Sequence, residues 1–377
     1  MLYMIAAAVL SAAMMLALMP VCIKKLHALK FGQTMYELGP QSHLNKKGTP
    51  NMGGIVMGPV TLLSTVAMFV TFYLRMRELE GLSWRFWGLE NPLWALLFLT
   101  IACMLLVGFA DDYIKDVKKD HEGLKPRQKI VRQVAIGLVF AVWAYFYVGH
   151  DVIIPFTGKT WDLGIFYIPL ITLTVLFMTN SANLQDGLDG LLSTVTVVGM
   201  IGFGLIAFLA PGIGKEWSAA VCGILAFALA GAAIGFLRFN HYPAQIFMGD
   251  TGSMFIGYML AAIAILGAVK TAATIALIVP AVALGLPIMD TAFAILRRYS
   301  NGKPIFQPDK GHLHHRLLAL GLTQKQAVLL MYAISIILSL GAFVLAMANV
   351  YVAAAVIVVI VIAVALGAKK IGILRNP

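Results

Sequence analysis

The chain has 377 residues, of which 60% are hydrophobic and only 12% are charged. A soluble domain carries about 25% charged residues, and its interior is too small to bury so much apolar surface. The composition therefore excludes a soluble globular enzyme and a disordered chain. The 28 Lys and Arg residues still exceed the 17 Asp and Glu residues, which gives a net charge of +11.

Apolar segments alternate with short polar segments along the whole chain. A transmembrane helix needs about 20 mostly apolar residues. Eleven segments approach this length, and they are 2–23, 53–74, 93–110, 130–148, 165–180, 190–210, 218–237, 253–268, 272–296, 326–347 and 350–367. The sequence predicts an all-α polytopic membrane protein with about ten or eleven transmembrane helices, forming a single domain over residues 1–377.

The basic residues predict the orientation of these helices, because cytoplasmic loops of membrane proteins are enriched in Lys and Arg. If the N-terminus is outside, 22 of the 28 basic residues lie on the cytoplasmic side and 6 on the external side. Topology and attraction to anionic lipid explain much of this excess. A polyanionic substrate on the cytoplasmic face is the alternative explanation.

The first polar cluster follows the apolar segment 93–110. Adjacent carboxylates at Asp111 and Asp112 can hold Mg²⁺ or accept a proton. Lys115 lies one helical turn after Asp111 and can hold a phosphate. An isolated pattern of this kind fits a solvated helix end with a local ion pair equally well. The following segment 118–129 is strongly basic, which fits either a topology determinant or phosphate binding.

Two further clusters contain carboxylates and glycines between apolar segments. In segment 180–190, Asn183, Asp186 and Asp189 recur at every third residue. In segment 240–253, Asp250 lies in a turn flanked by glycines, and Phe247 offers either membrane packing or an aromatic surface for a base. Ionisable residues at membrane spans are energetically costly and usually functional, so both segments are candidate binding loops.

A fourth cluster contains His312, His314 and His315. These histidines could bind a transition metal, a phosphate or a proton, and no Cys or acidic pattern completes a zinc site. Asp290, within the predicted span 272–296, is interpreted as a structural polar anchor without a catalytic role.

Together, the carboxylates and lysines predict phosphoryl transfer, which depends mostly on positioning and on neutralisation of charge. Neither a Walker A sequence nor a GxGxxG loop is present. Their absence argues against ATP as the phosphate source and leaves a nucleotide diphosphate bound in another way.

In their order along the chain, these motifs resemble the polyprenyl-phosphate N-acetylhexosamine-1-phosphate transferase superfamily. The first two-thirds of the chain resembles its phospho-N-acetylmuramoyl-pentapeptide transferase family in particular. The segments that carry this resemblance are 39–54, 111–115, 122–129, 154–156 and 183–190.

The resemblance implies a reaction in the bacterial cytoplasmic membrane. UDP-MurNAc-pentapeptide would donate its phospho-sugar to undecaprenyl phosphate with Mg²⁺, giving lipid I and UMP, as the first membrane step of peptidoglycan synthesis. Asp250 would bind magnesium, and Asp111, beside Asp112, would deprotonate or orient the lipid phosphate. The remaining implied residues are Lys46, Lys115 and Lys129 for phosphates, Asn180, Asn183, Asp186, Asp189, Asn240 and Phe247 for the nucleotide, and His312, His314 and His315 as the family's histidine motif.

The sequence departs from this family in several places. Asn51 replaces the usual Thr, the histidines read His-Leu-His-His, and segment 249–322 looks closer to the GlcNAc-1-phosphate transferase branch. The eleven predicted spans also fit that branch better than they fit the muramoyl-pentapeptide transferase family, for which ten spans are expected. The N-terminal loop is more diagnostic and favours the muramoyl-pentapeptide substrate, with UDP-GlcNAc as the alternative.

A transporter or flippase is the alternative from another class. It would need an inverted repeat or broken helices at the membrane midplane, and the sequence has neither. The expected partners are the two substrates and the lipid bilayer, without nucleic acid. A homodimer is one option for the assembly.

Overall fold

The computed structural model describes residues 1–29, 48–80, 93–120, 123–153, 160–209, 217–268, 282, 285–302, 311–347 and 350–372. Lys46 lies outside the described residues. So do most of the motif 39–54, the motif 154–156 and most of the first half of the predicted span 272–296.

The described chain is helical apart from one short β-ribbon. Its helices are α1 (Leu2–Ala28), α2 (Gly54–Glu80), α3 (Leu93–Asp116), α4 (Pro126–Tyr147), α5 (Tyr167–Gln185), α6 (Leu191–Leu209), α7 (Trp217–Asn240), α8 (Gly249–Ala268), α9 (Gly285–Ser300), α10 (Leu313–Ala319), α11 (Gln324–Met347) and α12 (Val350–Ile371). A 3-10 turn, Gly164–Phe166, precedes α5.

Ten helices in the described part of the chain are long and apolar enough to cross a membrane. They correspond to ten of the eleven predicted spans, which confirms an all-α polytopic membrane protein. Of the remaining span, 272–296, the structure describes mainly the second half, as the 16-residue helix α9. The eleventh span stays a prediction.

Several helices extend beyond the apolar segments that predicted them. Helix α3 continues to Asp116, α4 begins at Pro126, and α5 continues to Gln185. Hydropathy reports where apolar side chains accumulate, whereas a helix ends where its backbone hydrogen bonds end. The polar motifs predicted at span ends therefore lie within the terminal turns of helices.

Helices α7 and α8 are the most completely buried of the ten. Glycines let neighbouring backbones approach α8 closely, a common device in membrane helix packing. A Cβ atom at Gly54 of α2 would overlap the backbone of Gly252, and one at Gly108 of α3 would overlap the backbone of Asp250. On the other side, a Cβ atom at Gly257 would overlap the backbone of α5 at Thr179. The first turns of α8 are thus clamped between α2, α3 and α5.

The ribbon pairs β1 (Asp151–Ile153) with β2 (Thr160–Asp162) in antiparallel register. It follows the C-terminal end of α4. Asp162 accepts hydrogen bonds from the backbone N–H of Gly164, at 2.7 Å, and from His150 Nδ1, at 2.6 Å. These contacts, the first above all, lower the pKa of the exposed Asp162 carboxyl.

Candidate active site

The ends of four helices bring the main predicted site residues together. Helix α3 contributes Asp111, Asp112 and Lys115 from its last turns, and α4 contributes Lys129 from its first turn. Helix α8 contributes Asp250. The fourth helix, α5, ends beside them. The sequence places these residues up to 139 positions apart in the chain, yet their side chains are in direct contact.

Two lysines bridge two carboxylates at the centre of this cluster. Lys115 Nζ lies 2.5 Å from Asp111 Oδ2 and 3.1 Å from Asp250 Oδ2. Lys129 Nζ lies 2.9 Å from Asp111 Oδ2 and 2.5 Å from Asp250 Oδ2. Two positive and two negative charges therefore neutralise one another. The Asp111 side chain has no exposed surface, while those of Lys115 and Lys129 are 30% and 20% exposed, so solvent reaches the cluster from the lysine side.

The loop between α3 and α4 holds the Asp111 oxygen that does not face the lysines. Leu124 donates its backbone N–H to Asp111 Oδ1 at 2.7 Å. Gly123 has a φ of 65°, a conformation that favours glycine, and a Cβ atom there would crowd both Asp111 and Lys115. One Asp111 oxygen therefore binds the loop backbone, and the other faces the two lysines.

Asp112 faces α8 instead of the lysines. Its Oδ1 accepts the backbone N–H of Asp250 at 3.0 Å, and its Oδ2 accepts the backbone N–H and the hydroxyl of Thr251 at 2.8 and 2.5 Å. The first N–H groups of a helix lack partners within the helix and attract negative charge. Asp112 is thus an N-terminal cap for α8, supplied by another helix.

Asn183 completes the environment of Asp250 from the last turn of α5. Its Nδ2 donates to Asp250 Oδ1 at 2.7 Å and to Ser253 Oγ at 2.9 Å. Since the other oxygen of Asp250 binds both lysines, the carboxylate is held at both ends. This geometry links Asn183 of the predicted segment 180–190 to the acidic cluster.

The cluster offers an oxygen-rich site for a cation. One carboxylate oxygen each from Asp111, Asp112 and Asp250 lies within 4.8 Å of the others. Carboxylate oxygens are the donors that hard divalent cations prefer, so these residues fit a metal ion. The structure contains a second such group, His150, Asp151 and Asp162 of the ribbon, but its aspartates are exposed.

Other predicted residues join the loops around this centre. Asn240 Oδ1 accepts hydrogen bonds from Gly190 N at 3.1 Å and from Ser193 Oγ at 3.0 Å, and its Nδ2 donates to Ile246 O at 3.0 Å. Asp189 Oδ2 accepts the Ala244 N–H at 3.1 Å. The loops that follow α5 and α7 are therefore held together by predicted site residues.

The remaining predicted residues of these loops are placed differently. Phe247 exchanges backbone hydrogen bonds with Pro50 and Gly53, both at 2.9 Å. Asp186 directly follows α5 and donates its N–H to carbonyls in the last turn of that helix. Asn180 donates to Gln133 Oε1 of α4 at 2.8 Å and to Leu176 O at 2.7 Å, so its side chain joins α5 to α4.

The histidine cluster packs beside the α5 loop. His314 is buried, and a Cβ atom at Gly187 would be 2.5 Å from its Nε2. The rings of His314 and His315 are 4.2 Å apart. His312 Nδ1 lies 3.1 Å from Asp290 Oδ2, and Asp290 Oδ1 accepts the Leu313 N–H at 2.8 Å. Asp290 is a structural anchor, as predicted, but the group that it anchors is the histidine motif.

Asn51 and Asp116 are among the residues that contact the acidic cluster although sequence analysis assigned them no role in the site. Asn51 donates through Nδ2 to Asp116 Oδ2 at 2.9 Å and approaches Asp112 Oδ1 at 3.5 Å. Asp116 could have been noticed, because it lies one helical turn after Asp112 and hence on the same face of α3. Asn51 stood out in the sequence only as a departure from a family motif, and its partners are 61 and 65 residues away.

Comparisons with known proteins match these features. A family model described as Glycosyl transferase family 4 matches residues 94–268, a range that contains the whole acidic cluster. Three curated relatives are named phospho-N-acetylmuramoyl-pentapeptide-transferase. The protein of Clostridium botulinum (strain Alaska E43 / Type E3) is 34% identical over 328 residues, which cover 86% of this chain and 91% of the relative.

The other two relatives are similar over a comparable range. The protein of Thermoanaerobacter sp. (strain X514) is 37% identical over 320 residues, covering 83% of this chain and 90% of its own. The protein of Acetivibrio thermocellus is 36% identical over 343 residues, covering 90% of this chain and 94% of its own. The similarity thus extends well beyond the motifs of the site.

Proposed function

Because the chain belongs to the phospho-N-acetylmuramoyl-pentapeptide-transferase family, we propose that it transfers phospho-MurNAc-pentapeptide from UDP-MurNAc-pentapeptide to undecaprenyl phosphate. The products are lipid I and UMP, and the step is the first membrane reaction of peptidoglycan synthesis. The observation that carries this proposal is the contact of Asp111 and Asp250 with the same two lysines at the ends of membrane helices.

The reaction forms one phosphorus–oxygen bond and breaks another. An oxygen of the lipid phosphate attacks the phosphorus that bears the sugar, and the bond from that phosphorus to the UMP oxygen breaks. Catalysis of such a step depends on charge neutralisation and alignment. Lys115 and Lys129, both partly exposed, are placed to donate hydrogen bonds to phosphate oxygens in exchange for their present carboxylate partners.

The carboxylates have separate roles in this proposal. Asp111 accepts a proton from the lipid phosphate or orients it, because its Oδ2 faces the lysines that hold phosphate. Asp250, with Asp111 and Asp112 nearby, would hold Mg²⁺. When bound, Mg²⁺ neutralises negative charge on the diphosphate. Asp112 contributes by holding the first turn of α8.

We place the nucleotide at the loops that follow α5 and α7, beside the acidic cluster. Asn183, in the last turn of α5 before the first of these loops, binds Asp250. The buried ring of His314 packs against the same loop at Gly187. The residues proposed to frame the nucleotide or to contact the substrates are Asn180, Asn183, Asp186, Asp189, Asn240, Phe247, Lys46, His312, His314 and His315.

The protein is a multi-pass membrane protein, and we place it in the bacterial plasma membrane. The excess of basic residues supports an external N-terminus and a cytoplasmic active site. This face also suits a water-soluble UDP-sugar. We propose a single domain over residues 1–377 and a homodimer as the assembly to test first.

UDP-GlcNAc is the second candidate for the sugar donor. Within segment 249–322, which resembles the GlcNAc-1-phosphate branch, the contact of Asp290 with His312 joins α9 to the histidine motif. They therefore form one unit beside the α5 loop, where a sugar would lie if the nucleotide occupies that loop.

The deciding experiment offers each UDP-sugar with undecaprenyl phosphate to the purified protein and measures UMP release. We expect release with UDP-MurNAc-pentapeptide and none above background with UDP-GlcNAc. The opposite pattern would assign the chain to GlcNAc-1-phosphate transfer. Release of UMP without lipid phosphate would contradict the lipid as acceptor.

A further inference from the structure

Asn51 lies behind the acidic cluster, where none of the proposed roles uses it. Its side chain is 6% exposed and contacts two carboxylates of α3, at Asp112 and Asp116. Those two residues are also buried, with exposures of 1% and 6%. Since both neighbours are acceptors, the amide nitrogen of Asn51 faces them as the donor.

The other end of the same amide lies against the turn that leads to Asp250. A Cβ atom built on Gly249 would be 2.8 Å from Asn51 Oδ1 and would overlap Asp112 Oδ2. Asn51 Oδ1 is buried and has no hydrogen-bond partner among the described residues. Asn51 therefore fills the space between two carboxylates of α3 and the start of α8.

The backbone around Asn51 keeps its side chain in this place. Phe247 N–H donates to Pro50 O at 2.9 Å, and the N–H groups of Gly53 and Gly54 donate to Phe247 O and Met248 O at 2.9 and 3.0 Å. Met52 has a φ of 72°, which is rare for a residue other than glycine. These contacts dock the segment before α2 onto the segment before α8.

An amide suits this position for a reason of charge. Among the residues that the structure describes, four aspartates, at positions 111, 112, 116 and 250, cluster with two lysines, at positions 115 and 129. An amide offers two N–H donors without a charge, so it can serve two carboxylates without competing with a cation for them.

We propose that Asn51 is a positioning residue for the cation site. By donating to Asp116 and facing Asp112, it keeps the Asp112 carboxylate in place as the cap of α8, and this fixes Asp250 relative to Asp111 and the lysines. The function of the site rests on the proposed transfer reaction, but the positioning can be measured without either substrate.

The experiment compares Asn51→Val with Asn51→Thr, two variants of nearly the same shape that differ in one hydroxyl. Binding of Mn²⁺ to the full-length protein in detergent is measured by electron paramagnetic resonance, without substrate. We expect Asn51→Val to bind Mn²⁺ about tenfold more weakly, because Asp116 loses the amide donor and Asp112 loses one of its polar contacts. Asn51→Thr is expected to stay within about threefold of the original protein. Equal affinities for the two variants would overturn the proposal.

A second variant covers the case in which Asn51→Val does not fold. Asn51→Asp keeps the shape of the side chain but cannot donate, so we expect weaker Mn²⁺ binding although a carboxylate has been added. Unchanged or tighter binding would contradict a positioning role. If the original protein itself binds no Mn²⁺, both the cation site of the proposed function and the positioning role of Asn51 at that site are wrong.

Discussion

Asp112 accepts both the backbone N–H and the hydroxyl of Thr251, at 2.8 and 2.5 Å, across the contact between α3 and α8. With the N–H of Asp250 as a third donor at 3.0 Å, both of its oxygens are occupied by α8. The adjacent Asp111 instead binds the loop after α3 through Oδ1, and its Oδ2 faces the lysines. We therefore expect substitutions of these two neighbouring aspartates to have separable effects on stability and on reaction rate.

For Asp112→Asn we expect a loss of stability as well as activity. The new amide would place an N–H group against an N–H group of α8, which costs about 1–3 kcal/mol for a buried partner lost. Thermal unfolding in detergent measures this effect. Thr251→Val is the control, because it removes only one donor and should cost about 1 kcal/mol. An unchanged unfolding midpoint in Asp112→Asn, together with lost turnover, would indicate a reacting group and not a cap.

For Asp111→Asn we expect the turnover number to fall by at least about a hundredfold, the usual contribution of a group that moves a proton. Affinity for the UDP-sugar should change little, because the proposed partner of Asp111 is the lipid phosphate. Single-turnover kinetics with a separate binding measurement distinguish the two quantities. A collapse of UDP-sugar binding with an unchanged rate at saturation would reassign Asp111 to the donor site.

For Asp250→Asn we expect loss of cation-dependent turnover in a protein that still elutes as a folded species in detergent. The amide lacks the charge that both lysines and a cation require. The readouts are UMP release across a Mg²⁺ titration and Mn²⁺ binding. Asp162→Asn, in the exposed group on the ribbon, serves as the matched control and should leave both readouts unchanged. Near-normal activity of Asp250→Asn would remove this residue from the metal site.

For Asp290→Asn we expect a smaller effect, a fall in kcat/KM of about tenfold. A carboxylate bound to one imidazole nitrogen fixes the ring and its tautomer, and His312 Nδ1 has this contact at 3.1 Å. The measurement is kcat and KM for the UDP-sugar, with His312→Ala in parallel. If Asp290 acts through His312, the double variant should be no slower than His312→Ala alone. Additive losses would show that the two residues act independently.

The fold was largely predictable because the length and hydropathy of apolar segments identify transmembrane helices. Ten predicted spans match helices. Several of these helices are longer than the predicted apolar spans, as α5 is, which continues through Asn183. Motif order also predicted that Asp111, Lys115, Lys129 and Asp250 belong together. Local signals end there, because the remaining relationships depend on which helices are neighbours in space.

The unpredicted part of the site consists of contacts between distant segments. Nothing near Asp112 in the sequence shows that it caps a helix beginning 137 residues later, at Gly249. Similarly, the family motif implied that Asn240 contacts the nucleotide. In the structure, its side chain joins the loop at Gly190 to the carbonyl of Ile246. A polar side chain at a span end can serve a ligand, a loop or a helix terminus, and only packing distinguishes these uses.

The glycine contacts around α8 have a consequence for how this architecture can diversify. Gly54, Gly108 and Gly257 bring three neighbouring backbones so close that α8 cannot slide or rotate without separating its neighbours. Asp250, in the first turn of α8, is thus held by close contacts with three neighbouring helices, whereas the lysines have long side chains and His314 and His315 lie on the separate helix α10. In the proposed reaction, such a division would let the loops beside the acidic cluster change from one protein to another while the arrangement of the carboxylates stays the same.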